Sequence, residues 1–87
     1  MKERLLDRKI KLIWDFRGPT SKKTADHYAI HLKEYIFNEE LKYTIVESKM
    51  ISEMHSLVFL VVAEFEMPQV REDLRPHRGE VYVDDAL

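Results

Sequence analysis

Apolar and polar residues alternate with a period of two from Lys9 to Arg17. Ile10, Leu12, Trp14 and Phe16 fall on one side and Lys9, Lys11, Asp15 and Arg17 on the other, with Ile13 the exception. A strand that turns one face to a core has this pattern. Gly18-Pro19 ends it, and Thr20 or Ser21 offers a side-chain oxygen to the free amides of a following helix. Ala25, Tyr28, Ala29, Leu32 and Ile36 then share one stripe at about 100° per residue, which predicts an amphipathic helix to about Glu40. Thr20, Thr24, His27, His31, Tyr35 and Asn38 gather on one flank. Ile30 and Phe37 stand away from the core stripe and read as an association surface.

Alternation returns from Lys42 to Met50 and turns polar at Glu47-Ser48-Lys49, the pattern of an edge strand. Ile51-Ser52-Glu53 predicts a turn. The stretch from Met54 to Phe65 is strongly apolar, and from Ser56 to Ala63 it has no polar break, so both faces of that strand are expected to be covered. Pro68 suits a helix first turn, Val70 and Leu74 share a face, and Pro76 stops the helix after Arg75. Val81-Tyr82-Val83 reads as a last short strand and Asp84 to Leu87 as a frayed tail.

The resulting order, βαββαβ, predicts a single α+β domain over residues 1–87 with the ferredoxin-like arrangement: a four-stranded antiparallel sheet with helices on one face. The two most apolar strands, the first and third, fall at its centre. Either Val58, Leu60 and Val62 or Leu57, Phe59 and Val61 then lie bare on the second face, and a face-to-face homodimer covers them.

Composition narrows the class. A chain of 87 residues buries only ~60–65% of its unfolded surface, which also favours pairing. Hydrophobic residues at 45% and charged residues at 34% are those of a folded domain rather than a disordered or membrane-spanning one. The absence of cysteine removes thiolate chemistry and disulfides, leaving any metal to histidine and carboxylate. Met1 to Arg8 mixes both charges and has no apolar stretch, so no secretory signal is expected and a cytoplasmic location follows. A net charge of -2 does not supply the basic surface of non-specific nucleic-acid binding. No cofactor is implied.

The same topology brings the end of the first strand, the start of both the first helix and the third strand, and the end of the second helix to one pole. Asp15, Arg17, His27, His55, Arg75, His77 and Arg78 are thereby expected in one neighbourhood, with His31 one turn beyond His27. Three kinds of chemistry suit such a set. A metal could take His27 and His31, spaced i, i+4, with His55 or His77 and a carboxylate from Asp15 or Glu53. Acid–base chemistry could use a histidine whose tautomer Asp15 or Glu53 sets. An anion could settle at the helix start near Arg17, Lys22, Arg75 and Arg78. Against these stands a plain reading, in which the histidines are solvated, the arginines pair with Glu72, Asp73 or Glu80, and Trp14 is core.

At His31-Leu32-Lys33-Glu34-Tyr35, in a helix that leaves an apolar strand, the chain resembles the YCII-like proteins and, more loosely, the dimeric α+β-barrel superfamily. The resemblance covers roughly the first fifty residues. It implies a small ferredoxin-like domain that pairs sheet to sheet and encloses a pocket between helix and sheet. In the YCII-like family a histidine of this helix motif acts with an aspartate; here only His31 matches by motif. The glycine-proline that family tends to carry early in the second strand is absent between Leu41 and Ser48.

The expected function is a small dimeric domain that binds a small anionic molecule at the histidine pole and acts on it by acid–base chemistry. His31 and Asp15 carry the chemistry, His27, His55 and His77 line the site, and Arg17 and Arg78 neutralise the ligand. A non-catalytic assembly module and a histidine-based metal protein are the alternatives. An RNA-binding role ranks last, because Phe59 alone offers a stacking ring on the third strand.

Overall fold

The computed structural model describes residues 8–83; the expected tail and the start of the chain lie outside them. Its elements are β1 (Lys9–Arg17), α1 (Ser21–Glu39), β2 (Val46–Ser52), β3 (His55–Ala63), a 3₁₀ turn (Glu64–Glu66), α2 (Met67–Leu74) and β4 (Arg78–Val81). The sheet order is β2-β3-β1-β4 with every pairing antiparallel. This is the ferredoxin-like arrangement, with the two apolar strands in the middle as their composition requires. No helix among the described residues is long and apolar enough to cross a membrane.

The core forms where the alternating sides of β1 and β3 meet α1. Leu12 and Trp14 from β1, Val58, Leu60 and Val62 from β3, and Ala25, Ala29, Leu32 and Ile36 from α1 make one buried cluster, which Val70 of α2 completes. Tyr28 lies at its margin, with its ring centroid 5.3 Å from that of Trp14 and 5.7 Å from that of Phe16. α1 buries Ser21, Ala25, Ala29, Leu32 and Ile36 while α2 buries only Val70, so α1 is the better seated of the two helices.

The second face of the sheet differs from the expectation. Ile13 is only 2% exposed and Val61 fully buried, while Leu57 and Phe59 are half-buried. Long side chains lie across this face: the Lys11 ammonium sits 4.7 Å from the centre of the Phe59 ring, and that of Lys9 sits 5.2 Å from the Tyr43 ring. Lysine stems cover apolar surface while their charges stay wet, so the face is partly covered within one chain.

Three local expectations also shift. Thr20 occupies the N-cap position but makes no side-chain cap bond; the Ser21 hydroxyl instead points inward to Ser56, 3.3 Å away. β2 begins at Val46 rather than Lys42 and continues through Ser52, with a bulge between Met50 and Ser52, so the turn is narrower than predicted. β4 starts three residues early, at Arg78. Its four residues are all exposed, so no apolar signal marks it; partnership with the edge of β1 alone defines it. Gly79 faces Leu12 there, and a Cβ would stand 3.3 Å from the Leu12 Cδ2, so the close approach favours glycine.

Turns direct the chain to the pole. Gly18 has φ of 111°, a conformation that suits glycine, and its N–H donates to the Met54 carbonyl at 2.7 Å. This ties the end of β1 to the β2–β3 turn. Arg75 ends α2 in the left-handed region, φ 48°. The reversal carries the next residues back over β1, where the His77 N–H donates to the Ile13 carbonyl at 2.9 Å.

Candidate functional site

Asp15 is the meeting point of the pole. In the β1–β3 ladder Asp15 stands opposite Leu57 and Arg17 opposite His55, and in the β1–β4 ladder Ile13 stands opposite Arg78. His55 and Arg78 are therefore diagonal neighbours of Asp15 on one face, within reach of long side chains. The Asp15 Oδ1 lies 2.8 Å from the His55 Nε2. Arg78 donates through Nε to Oδ2 at 2.9 Å and through Nη2 to Oδ1 at 3.1 Å. The side chains of Asp15 and His55 are 15% and 17% exposed, while that of Arg78 is 50% exposed.

The electrostatics follow from this geometry. The hydrogen bonds from Arg78, and after them that from His55, hold the Asp15 carboxyl well below the usual carboxylate range, against the opposing effect of its partial burial. The Arg78 charge is in turn committed to Asp15. With the Nε2–H of His55 donated to the carboxylate, its Nδ1 is left to act as a base, which is the orienting role a carboxylate plays for catalytic histidines.

His77 is held by the main chain of the same residue. The Asp15 N–H donates to the His77 Nδ1 at 2.9 Å, so the imidazole takes the place that a strand carbonyl would occupy just before β4 begins. An accepting Nδ1 puts the proton of the neutral ring on Nε2, which thereby becomes a donor. The ring also meets Phe16 edge-on, centroids 6.5 Å apart.

His77 lines a cleft of about 400 Å³ between α2 and the β1–β4 edge. Ile10, Leu12, Met67 and Val81 give it apolar walls, and Arg71 and His77 bring polar groups to it, while the Arg78 guanidinium is held on Asp15. The cleft exists because α2 is short and anchored on few points: buried Val70, the Trp14 Nε1–H donating to the Leu74 carbonyl at 3.1 Å, and the Tyr35 hydroxyl donating to Asp73 at 2.6 Å. Burial, and then that bond to Asp73, push the Tyr35 hydroxyl above its ordinary value. Sequence reasoning missed Arg71 and Met67; their i, i+4 spacing beside the Val70–Leu74 stripe was the available signal.

The structure thus joins Asp15, His55, His77 and Arg78. Arg17 is exposed at the end of β1, opposite His55 in the ladder. His27 and His31 lie elsewhere, on the outward side of α1, with their Nε2 atoms 3.1 Å apart; no hydrogen bond or ion pair links them to the Asp15 group. Among the described residues no three His, Asp or Glu side chains converge in a metal-binding arrangement. Lys22 pairs with Asp26 at 2.6 Å rather than with the helix start. Lys22 first, and then the Ser48 hydroxyl, lower the Asp26 carboxyl from its ordinary value.

Comparison with known proteins returns no matching family model, no similar curated protein and no matching solved structure.

Proposed function

We propose that this chain is a cytoplasmic small-molecule-binding domain that takes a small anionic molecule in the α2–β4 cleft. The supporting observation is preorganisation: the Asp15 N–H holds the His77 ring by its Nδ1 at the cleft wall, so that Nε2–H stands ready as a donor before any ligand arrives. The cleft has the volume of a small-ligand site, with mostly apolar walls and a few convergent polar groups. Arg71 and the His77 Nε2–H are the donors for a carboxylate or phosphate, and the apolar walls take the body of the molecule.

A panel of small carboxylates and organic phosphates titrated into labelled protein should shift the backbone resonances of Met67, Arg71, His77 and Gly79. Arg71→Ala should weaken the best binder at least tenfold with an unfolding temperature near that of the parent. Shifts confined to other surfaces, or unaltered affinity in the variant, would remove the cleft from consideration.

A second reading is favoured by the 2.8 Å contact between His55 and Asp15. In it the pair acts as acid and base on a ligand held by Arg17 at the opposite face of the sheet, and the proton-transfer role expected of His31 belongs to His55, because His55 is the histidine whose side chain meets a carboxylate at hydrogen-bond distance.

The reading includes pairing of two copies, through α1 rather than sheet to sheet. With lysine stems across the second sheet face, α1 offers the more open apolar surface: Ile30 is 54% and Phe37 81% exposed. Sedimentation at rising concentration should show a dimer that Phe37→Glu abolishes. A dimer that survives Phe37→Glu and is lost with Leu57→Glu would return the interface to the sheet.

A further inference from the structure

The His27–His31 pair takes no part in the cleft or in the Asp15 group, yet its geometry is specific. Both residues lie in the interior of α1, a helix of 19 residues seated on the core, so their backbone spacing is fixed by buried neighbours on either side. Their rings meet edge-on at 4.7 Å between centroids, and the two Nε2 atoms approach to 3.1 Å. Two neutral imidazoles make that contact only when one nitrogen carries a proton and the other presents a lone pair. The Glu34 carboxylate stands on the far side of His31, its Oε1 3.5 Å from Nδ1 and beyond hydrogen-bond contact; its charge alone favours the His31 proton on that side, with the Nε2 lone pair towards His27.

We infer that His27 and His31 form a two-point chelate for a divalent transition-metal ion, copper(II), nickel(II) or zinc(II), with Glu34 as the carboxylate that orients His31. An ion ~2.0–2.1 Å from each nitrogen fits this spacing, because donors 3.1 Å apart then subtend ~100° at the metal. That angle lies between the ~90° of adjacent octahedral or square-planar positions and the ~109° of a tetrahedron. On loading, the ion takes the place of the shared proton, and His27 moves its proton from Nε2 to Nδ1. A carboxylate at the far nitrogen of a ligating imidazole is the usual outer partner of a metal-bound histidine. Two protein donors leave the remaining positions to water or to an exchangeable anion, so the site is open rather than structural. It is independent of the proposed cleft, since neither histidine touches Asp15, His77 or Arg71.

The test uses the full chain without an affinity tag. Copper(II), nickel(II) and zinc(II) chlorides are each titrated in competition with a chromophoric chelator. One ion per chain is expected, with copper held most tightly. His27→Ala and His31→Ala should each weaken binding at least tenfold, Glu34→Gln by several-fold, and His55→Ala and His77→Ala should have no effect. The copper(II) spectrum should show two coupled imidazole nitrogens. Circular dichroism checks that the variants keep their helix, since both rings are exposed. Affinity unaltered in His31→Ala, a single coupled nitrogen, or loss of binding in the His55 or His77 variant would overturn the assignment.

Discussion

Trp14→Ala is expected to cost about 3–5 kcal/mol, the range for deleting a large aromatic from a core. That is a large fraction of what a domain of this size has, since stabilities of ~0.05–0.15 kcal/mol per residue, roughly 4–13 kcal/mol here, are usual. Trp14 is buried between β3 and α1, and its ring packs on Tyr28. It also fastens the end of α2 through its bond to the Leu74 carbonyl. Trp14→Phe separates the two roles in part: it keeps an aromatic ring in the core but loses that bond, worth ~1 kcal/mol, and leaves a small cavity where the rest of the indole packed. The conservative variant should therefore stay folded while its cleft loosens. Urea unfolding of both variants gives the comparison, and a loss below 1 kcal/mol in Trp14→Ala would mean that the ring is not a core element.

Asp15→Asn should remove about 2 kcal/mol, the scale of charge-assisted hydrogen bonds, and less than a fully buried pair would lose because half of Arg78 is in water. For a domain this small the unfolding temperature should fall by ~10 °C. The pH dependence has a definite sign. The Asp15 carboxyl is held below its ordinary value of 3.8, so on acidification the unfolded chain takes up the proton before the folded one does. The stability supplied by Asp15 is complete above that ordinary value and is lost as pH falls towards the depressed one. Asp15→Asn should flatten this acid limb; an identical limb in parent and variant would show that the carboxylate is not coupled to folding. The N–H that holds His77 survives the substitution, so cleft binding should persist while any chemistry of His55 is lost. That divergence separates the two functional readings.

The class of fold was legible in the chain because burial on two faces leaves a plain mark. Strands β1 and β3 read as apolar alternation and an unbroken apolar run, and α1 as a stripe at helical period. β4 was not legible in place: Arg78 to Val81 are exposed, and an edge strand left open to water has little reason to be apolar. The same limit applies to the site. Connectivity alone put Asp15, His55, His77 and Arg78 at one pole, but it could not say on which side of a layer each side chain projects. His27 and His31 share the pole's end of the helix layer and still face outward, away from the sheet.

What the sequence by itself determined is the order of elements, the central place of β1 and β3, and the end of the domain to which the titratable residues go. Each depends on periodicity and chain direction, which are properties of a one-dimensional string. The tertiary structure decided that Asp15 is the hub, that Arg78 is spoken for, that His77 replaces a strand carbonyl, and that a cleft opens beside α2. Those depend on ladder register and on how tightly a short helix seats, where a shift of one residue reverses the face a side chain occupies.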